Sequence, residues 1–63
     1  MNQIQERIIK LLEKRGEDLL STKEISKMVG ISYPTALKHL EILRAGNKVK
    51  CEKIGPVKVW HLK

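Results

Sequence analysis

Between Ser21 and Arg44 the chain carries two helix starts and one helix stop in quick succession, and no other stretch narrows its fold as far: STKEISKMVGISYPTALKHLEILR. Ser21 and Glu24 stand at the S-x-x-E spacing of a capping box, ahead of Ile25, Met28 and Val29. Gly30 supplies the left-handed residue that stops this helix, and Ile31 drops back toward the core. Ser32 then caps a further helix, with Pro34 in its first turn, where a missing N–H costs nothing. Ala36, Leu40 and Leu43 form its buried stripe and Gly46 ends it. The second helix is expected at about 22–29 and the third at about 33–44. Two consecutive helices joined by a short turn carrying glycine form a helix-turn-helix pattern.

Upstream, Asn2 is a good N-cap with Gln5 as its capping-box partner, and Ile4, Ile8, Leu11 and Leu12 repeat at helical spacing. Gly16 follows Lys14 and Arg15, so a first helix is expected at about 3–15. Ile9 widens the apolar stripe, serving either a partner contact or a broad core face. Glu17-Asp18-Leu19-Leu20 is a short extended connector whose leucines close the core.

Downstream the period changes. Val49, Cys51, Val57, Val59, Trp60 and Leu62 lie in a β-branched stretch interrupted by Gly55-Pro56, which predicts a β-hairpin with strands at about 48–53 and 58–63. A register that pairs Cys51 with Trp60 or with Leu62 puts Val49, Cys51, Trp60 and Leu62 on one face and turns Lys50, Glu52 and His61 outward. Pairing Cys51 with His61 mixes charged and apolar side chains on each face and is rejected. Gly-Pro fits a tight two-residue turn poorly, so a wider, stiff loop is expected.

The 63 residues make one domain, 1–63, of α+β class in the order α-α-α-β-β. Hydrophobic residues at 41% exclude a disordered tail, and no apolar run approaches the roughly 18 residues of a membrane span. No signal-peptide pattern stands at Met1, and the single cysteine, Cys51, agrees with a reducing compartment, so the expected location is the cytoplasm. The net charge is +6, and it is unevenly spread. Residues 1–31 hold 6 basic and 5 acidic side chains, whereas residues 32–63 hold 7 and 2. A basic excess gathered in one half points to a nucleic-acid partner. Richness in Lys, Glu and Ile also fits a thermophilic source.

The stretch STKEISKMVGISYPTALKHLEILRAG, followed by a hairpin ending VWHL, resembles the winged helix-turn-helix repressors of bacteria and archaea. Within it, SYPTALKHLEIL is particularly similar to the recognition helix of ArsR- and MarR-type repressors. The resemblance covers about 21–63. It implies that the second helix props the third, that the hairpin is a wing, and that the protein regulates transcription, as a repressor. Two departures stand out: LRAG is one residue shorter than the LREAG usual in those repressors, and Leu37 sits where the ArsR type often carries a small polar residue.

With the buried direction set by Ala36, Leu40 and Leu43, the ~100° helical step puts Pro34, Lys38 and Glu41 on the far side. Thr35 and His39 fall at one margin, Tyr33 and Leu37 at the other. Ser32, Tyr33, Thr35 and Lys38 are the expected contacts to base edges and neighbouring phosphates of double-stranded DNA, Lys38 donating to guanine O6 and N7. His39 and Arg44 are expected on phosphate, and Leu37 packed under the second helix. Free N–H groups at the helix starts attract phosphate, so Ser21, Thr22 and Lys23 would anchor one strand. Lys53 and Lys58 flank the wing tip and would track the adjacent minor groove or backbone.

Other chemistries fare worse. Cys51, His39 and His61 are metal-ligand types, but Cys51 faces the core beside Trp60, His61 points the other way, and no C-x-x-C or His pair exists; a structural cysteine and no metal or other cofactor are expected. Asp18 is the only aspartate, and no nucleophile elbow or glycine-rich phosphate loop is present, so no enzyme activity is expected. The rival is a winged-helix module that binds protein or RNA within the transcription machinery, to which Leu37 and Ile42 give some support. Because a single asymmetric binder has weak specificity, a homodimer is expected, with Ile9 or Ile4 of the first helix as its surface.

Overall fold

The computed structural model describes residues 2–62. Lys63, the last residue of the expected second wing strand, lies outside the described residues, as does Met1. The elements are α1 (Gln3–Arg15), β1 (Leu20–Ser21), α2 (Thr22–Val29), α3 (Tyr33–Ala45), β2 (Lys50–Ile54) and β3 (Val57–His61).

Local chemistry sets the helix boundaries. Ser21 and Glu24 close the expected capping box: Glu24 N donates to Ser21 Oγ at 3.1 Å and Ser21 N donates to Glu24 Oε1 at 2.9 Å. Gly30 takes the left-handed conformation at φ 82°, and the Ile31 N–H turns back to Ser26 O at 2.9 Å. Asn2 caps α1 through its Oδ1, which accepts from Ile4 N at 2.6 Å. The box expected there does not close, because the Gln5 amide reaches across to α3 and donates to His39 Nδ1 at 3.1 Å. At the end of α3 the left-handed residue is not Gly46, at φ −87°, but Asn47, at φ 60°. Lys48 N donates to Leu43 O and Asn47 N to Arg44 O, the paired bonds of a Schellman stop, and asparagine is among the few residues that tolerate that conformation.

The sheet has three antiparallel strands in the order β1-β3-β2, one more than the hairpin expected. Leu20 pairs with Trp60 and Ser21 with Val59, so the connector before α2 is stitched onto the wing. Two residues are too few to show a period, which is why the sequence reads as a connector. Alternation along this strand also separates the leucines: Leu20 is buried, whereas Leu19 is 42% exposed and does not close the core. In the hairpin Cys51 pairs with Trp60, one of the two registers the face pattern allows. The turn is tighter than expected, since Ile54 pairs with Val57 across Gly55-Pro56 alone. Gly55 at φ 61° followed by proline's fixed negative φ has the sign pattern of a glycine-first hairpin turn.

Ile8, Leu12, Ile25, Leu40 and Trp60 are the fully buried centre, joined by Leu20, Val29, Leu43 and Val49. Two polar bonds fix the elements around it. Arg7 of α1 donates to Val29 O at the end of α2, at 2.7 Å, and Trp60 Nε1 donates to Thr22 Oγ1, at 2.8 Å. The second bond joins β3 to the first residue of α2 and so sets the root of the wing against the helix pair.

Candidate nucleic-acid interface

The start of α2, the start of α3 and the far half of the hairpin converge on one face. Pairing of β1 with β3 ends at Ser21–Val59, so the hairpin continues beyond the core as a free ribbon. Cys51 and Trp60 face the helices. By the strand period of two, Lys53 and Lys58 lie on that same side, farther out. A cleft of about 450 Å³ results, lined by Lys23 at the start of α2, Tyr33 and Leu37 of α3, and Lys53, Pro56, Val57 and Lys58 of the hairpin, with Ser21 and Thr22 at its base.

Lys53 and Lys58 are direct cross-strand partners, a like-charge pair that is destabilising without a counter-charge. One is supplied from α3. Glu41 Oε2 accepts from Lys58 Nζ at 3.0 Å, and Glu41 Oε1 accepts from Arg44 Nε at 2.8 Å. The hydrogen bond from Arg44, then that from Lys58, holds the Glu41 carboxyl below the usual carboxylate range, and the same bond raises the Arg44 guanidinium. A single carboxylate therefore serves two cations and ties the wing to α3. Lys53 and Lys23 make no such bond among the described residues. The first turn of α3 also carries no acidic residue, although those of α1 and α2 do, so no carboxylate of its own answers its positive end.

Most of the residues singled out from the sequence lie here or beside it. Tyr33 is 52% exposed and lines the cleft with Lys23, Lys53 and Lys58. Ser32 and Lys38 are exposed and Thr35 is half-buried. Ser32 Oγ accepts from Thr35 N and donates to Thr35 Oγ1 at 2.8 Å, which orders the hydroxyls at the helix start. Arg44 is exposed but held by Glu41. Leu37 packs partly on the core, as expected, and also forms part of the cleft wall.

Two expected contacts are placed elsewhere. His39 is buried, its ring bonded to Gln5 of α1, so it joins two helices instead of meeting phosphate. Thr22 is 3% exposed and its hydroxyl is taken by Trp60, so any anchoring by this residue is left to its backbone N–H. Sequence reading gave Glu41 no role. The i,i+3 spacing to Arg44 was a usable signal for one of its pairs, but nothing local announced Lys58. Cys51 is half-buried on the core side, and among the described residues no group of three or more His, Cys, Asp or Glu side chains comes together.

A family model described as winged helix-turn-helix DNA-binding matches residues 1–50. The chain belongs to that family. Its helix-turn-helix is α2 and α3, and β2–β3 is its wing. Among solved structures, this winged helix is similar to the homodimeric winged helix-turn-helix DNA-binding domain of a possible ArsR-family transcriptional regulator from Mycobacterium bovis. That likeness has a TM-score of 0.86 at 21% identity, over 97% of this chain and 54% of the other. It is also similar to a mutant MepR from a multidrug-resistant S. aureus clinical isolate, with a TM-score of 0.90 at 18% identity over 100% of this chain and 48% of the other. The Zα domain of Carassius auratus PKZ, crystallised in complex with Z-DNA, matches at a TM-score of 0.85 and 30% identity, over 97% of this chain and 94% of that domain. The winged helix thus spans about half the length of the two bacterial regulator chains and nearly all of the Zα domain. No curated protein sequence matches the chain.

Proposed function

We propose that this winged helix binds double-stranded DNA, with the first turns of α3 in the major groove and the wing on the neighbouring backbone, and that it regulates transcription as a repressor. The observation that carries the reading is the cleft itself: Lys23, Lys53 and Lys58 from three elements gather beside the acid-free start of the recognition helix. Accessible Tyr33, Ser32 and Thr35 at the start of α3 support contacts to base edges, and exposed Lys38 supports donation to guanine O6 and N7. Each phosphate neutralised contributes about −0.9 to the slope of log K against log salt. The test is retention of the chain on mixed-sequence duplex as salt is varied. A slope of about −4 to −5 fits about five phosphate contacts, and no retention at about 50 mM salt refutes the reading.

A second reading concerns the form of duplex. The near-complete match to a Zα domain, at higher identity than the bacterial regulators, supports left-handed DNA as the preferred ligand. Competition between brominated alternating dG-dC duplex in the Z form and mixed-sequence B-form duplex separates the two. We also propose a homodimer through α1, where Ile4 and Ile9 are only partly covered by the core, in keeping with the homodimeric relative. Sedimentation that shows a monomer at high micromolar concentration, free and on DNA, removes the dimer.

A further inference from the structure

We propose that Glu41 is a built-in competitor for DNA phosphate, holding Lys58 and Arg44 in the free protein and thereby setting how tightly the wing face takes a polyanion. This rests on the DNA-binding reading above. The carboxylate bonds Lys58 Nζ at 3.0 Å and Arg44 Nε at 2.8 Å, so it uses both oxygens on two different elements. All three side chains are at least one-third exposed, and Lys58 lines the cleft with Lys53, on the surface that phosphate would approach. A phosphate arriving there meets Lys58 with its charge already offset by a carboxylate, which holds Arg44 of α3 as well. It must displace the carboxylate or bond only the N–H groups left free, with the carboxylate repelling it meanwhile. Among the described residues Lys53, facing Lys58 across the hairpin, has no such partner and carries no such handicap. Because phosphate is common to all sequences, the penalty is sequence-independent: it lowers non-specific binding while leaving the base-reading start of α3 untouched.

The experiment is fluorescence anisotropy of a labelled mixed-sequence duplex across a salt series. It compares the wild-type chain with Glu41→Gln, Lys58→Ala, Lys53→Ala and the Glu41→Gln/Lys58→Ala double variant. Two exposed ion pairs, each weakened by solvent and by salt, set the scale. Glu41→Gln should bind about threefold to thirtyfold tighter at low salt, with a slope steeper by about one unit. Lys58→Ala should weaken wild type less than Lys53→Ala does, and should weaken the Glu41→Gln background more than it weakens wild type. The Lys58 and Lys53 single variants keep the comparison decisive if the glutamine loosens the wing. Equal or weaker binding by Glu41→Gln, or an equal cost of Lys58→Ala in both backgrounds, overturns the proposal. So does a loss confined to particular sequences, which would make Glu41 a base reader. Failure of the wild-type chain to bind duplex at all overturns the DNA reading itself, which is a different result.

Discussion

Replacing Thr22 by valine separates a structural role for this residue from a DNA contact. Valine keeps the branched shape and removes the oxygen that accepts from Trp60 Nε1 at 2.8 Å. Trp60 is 0% exposed, so water cannot take the place of that acceptor. A buried N–H left without a partner costs about 1–3 kcal/mol. In a domain of this size about 1 kcal/mol moves the thermal midpoint by about 4–8 °C, so the midpoint should fall by roughly 5–20 °C. The single tryptophan is itself the probe: its fluorescence reports the root of the wing, while far-ultraviolet circular dichroism reports the helices. DNA affinity measured well below the new midpoint should stay within about twofold of wild type, a difference of about 0.4 kcal/mol. A double-mutant cycle with Trp60→Phe sharpens the result. Phenylalanine removes the orphaned N–H, so Thr22→Val should cost less in that background. An unchanged midpoint accompanied by lost affinity refutes the reasoning and returns the Thr22 hydroxyl to the phosphate backbone.

Lys38→Ala should cost about 1–3 kcal/mol on a preferred site and blur the preference at one base pair, seen by comparing single-base variants of a selected duplex. Lys53→Ala should weaken every duplex alike and flatten the salt slope by about one unit; equal, sequence-independent losses in both variants would mean that Lys38 reads no base. Acid should destabilise the fold in a definite window. The backbone and side chain of Ser21 lower the Glu24 carboxyl, as Arg44 and Lys58 lower that of Glu41, so both groups stabilise the folded state above the unfolded value of about 4.3 and lose that contribution as pH falls through their folded values. Glu24→Gln should therefore lower the thermal midpoint at neutral pH and converge with wild type in strong acid, and a constant difference at all pH values would count against the carboxylate charge as the cause.

What was legible in the sequence and what was not divide along contact distance. Helix starts and stops are decided within a few residues: Ser21 with Glu24, Ser32 with Thr35, Gly30 with Ser26. The spacing therefore carried all three helices, and the hairpin register followed from which side chains must be buried. Asn47 in place of Gly46 and the tight Gly55-Pro56 turn are small local departures in which the backbone found another permitted conformation. The larger departures all involve partners far apart in the chain. Trp60 takes Thr22 across 38 residues, Gln5 takes His39 across 34, and Glu41 takes Lys58 across 17. Each removes a polar group that periodicity alone had left facing outward. That asymmetry bears on any reading of a basic surface from sequence. A charge count finds the cations but not their intramolecular counter-ions, so it overstates the phosphate contacts available. Here, among the described residues, Lys53 makes no ion pair while Lys58 is already answered by Glu41. The measured salt slope should consequently steepen when Glu41 loses its charge.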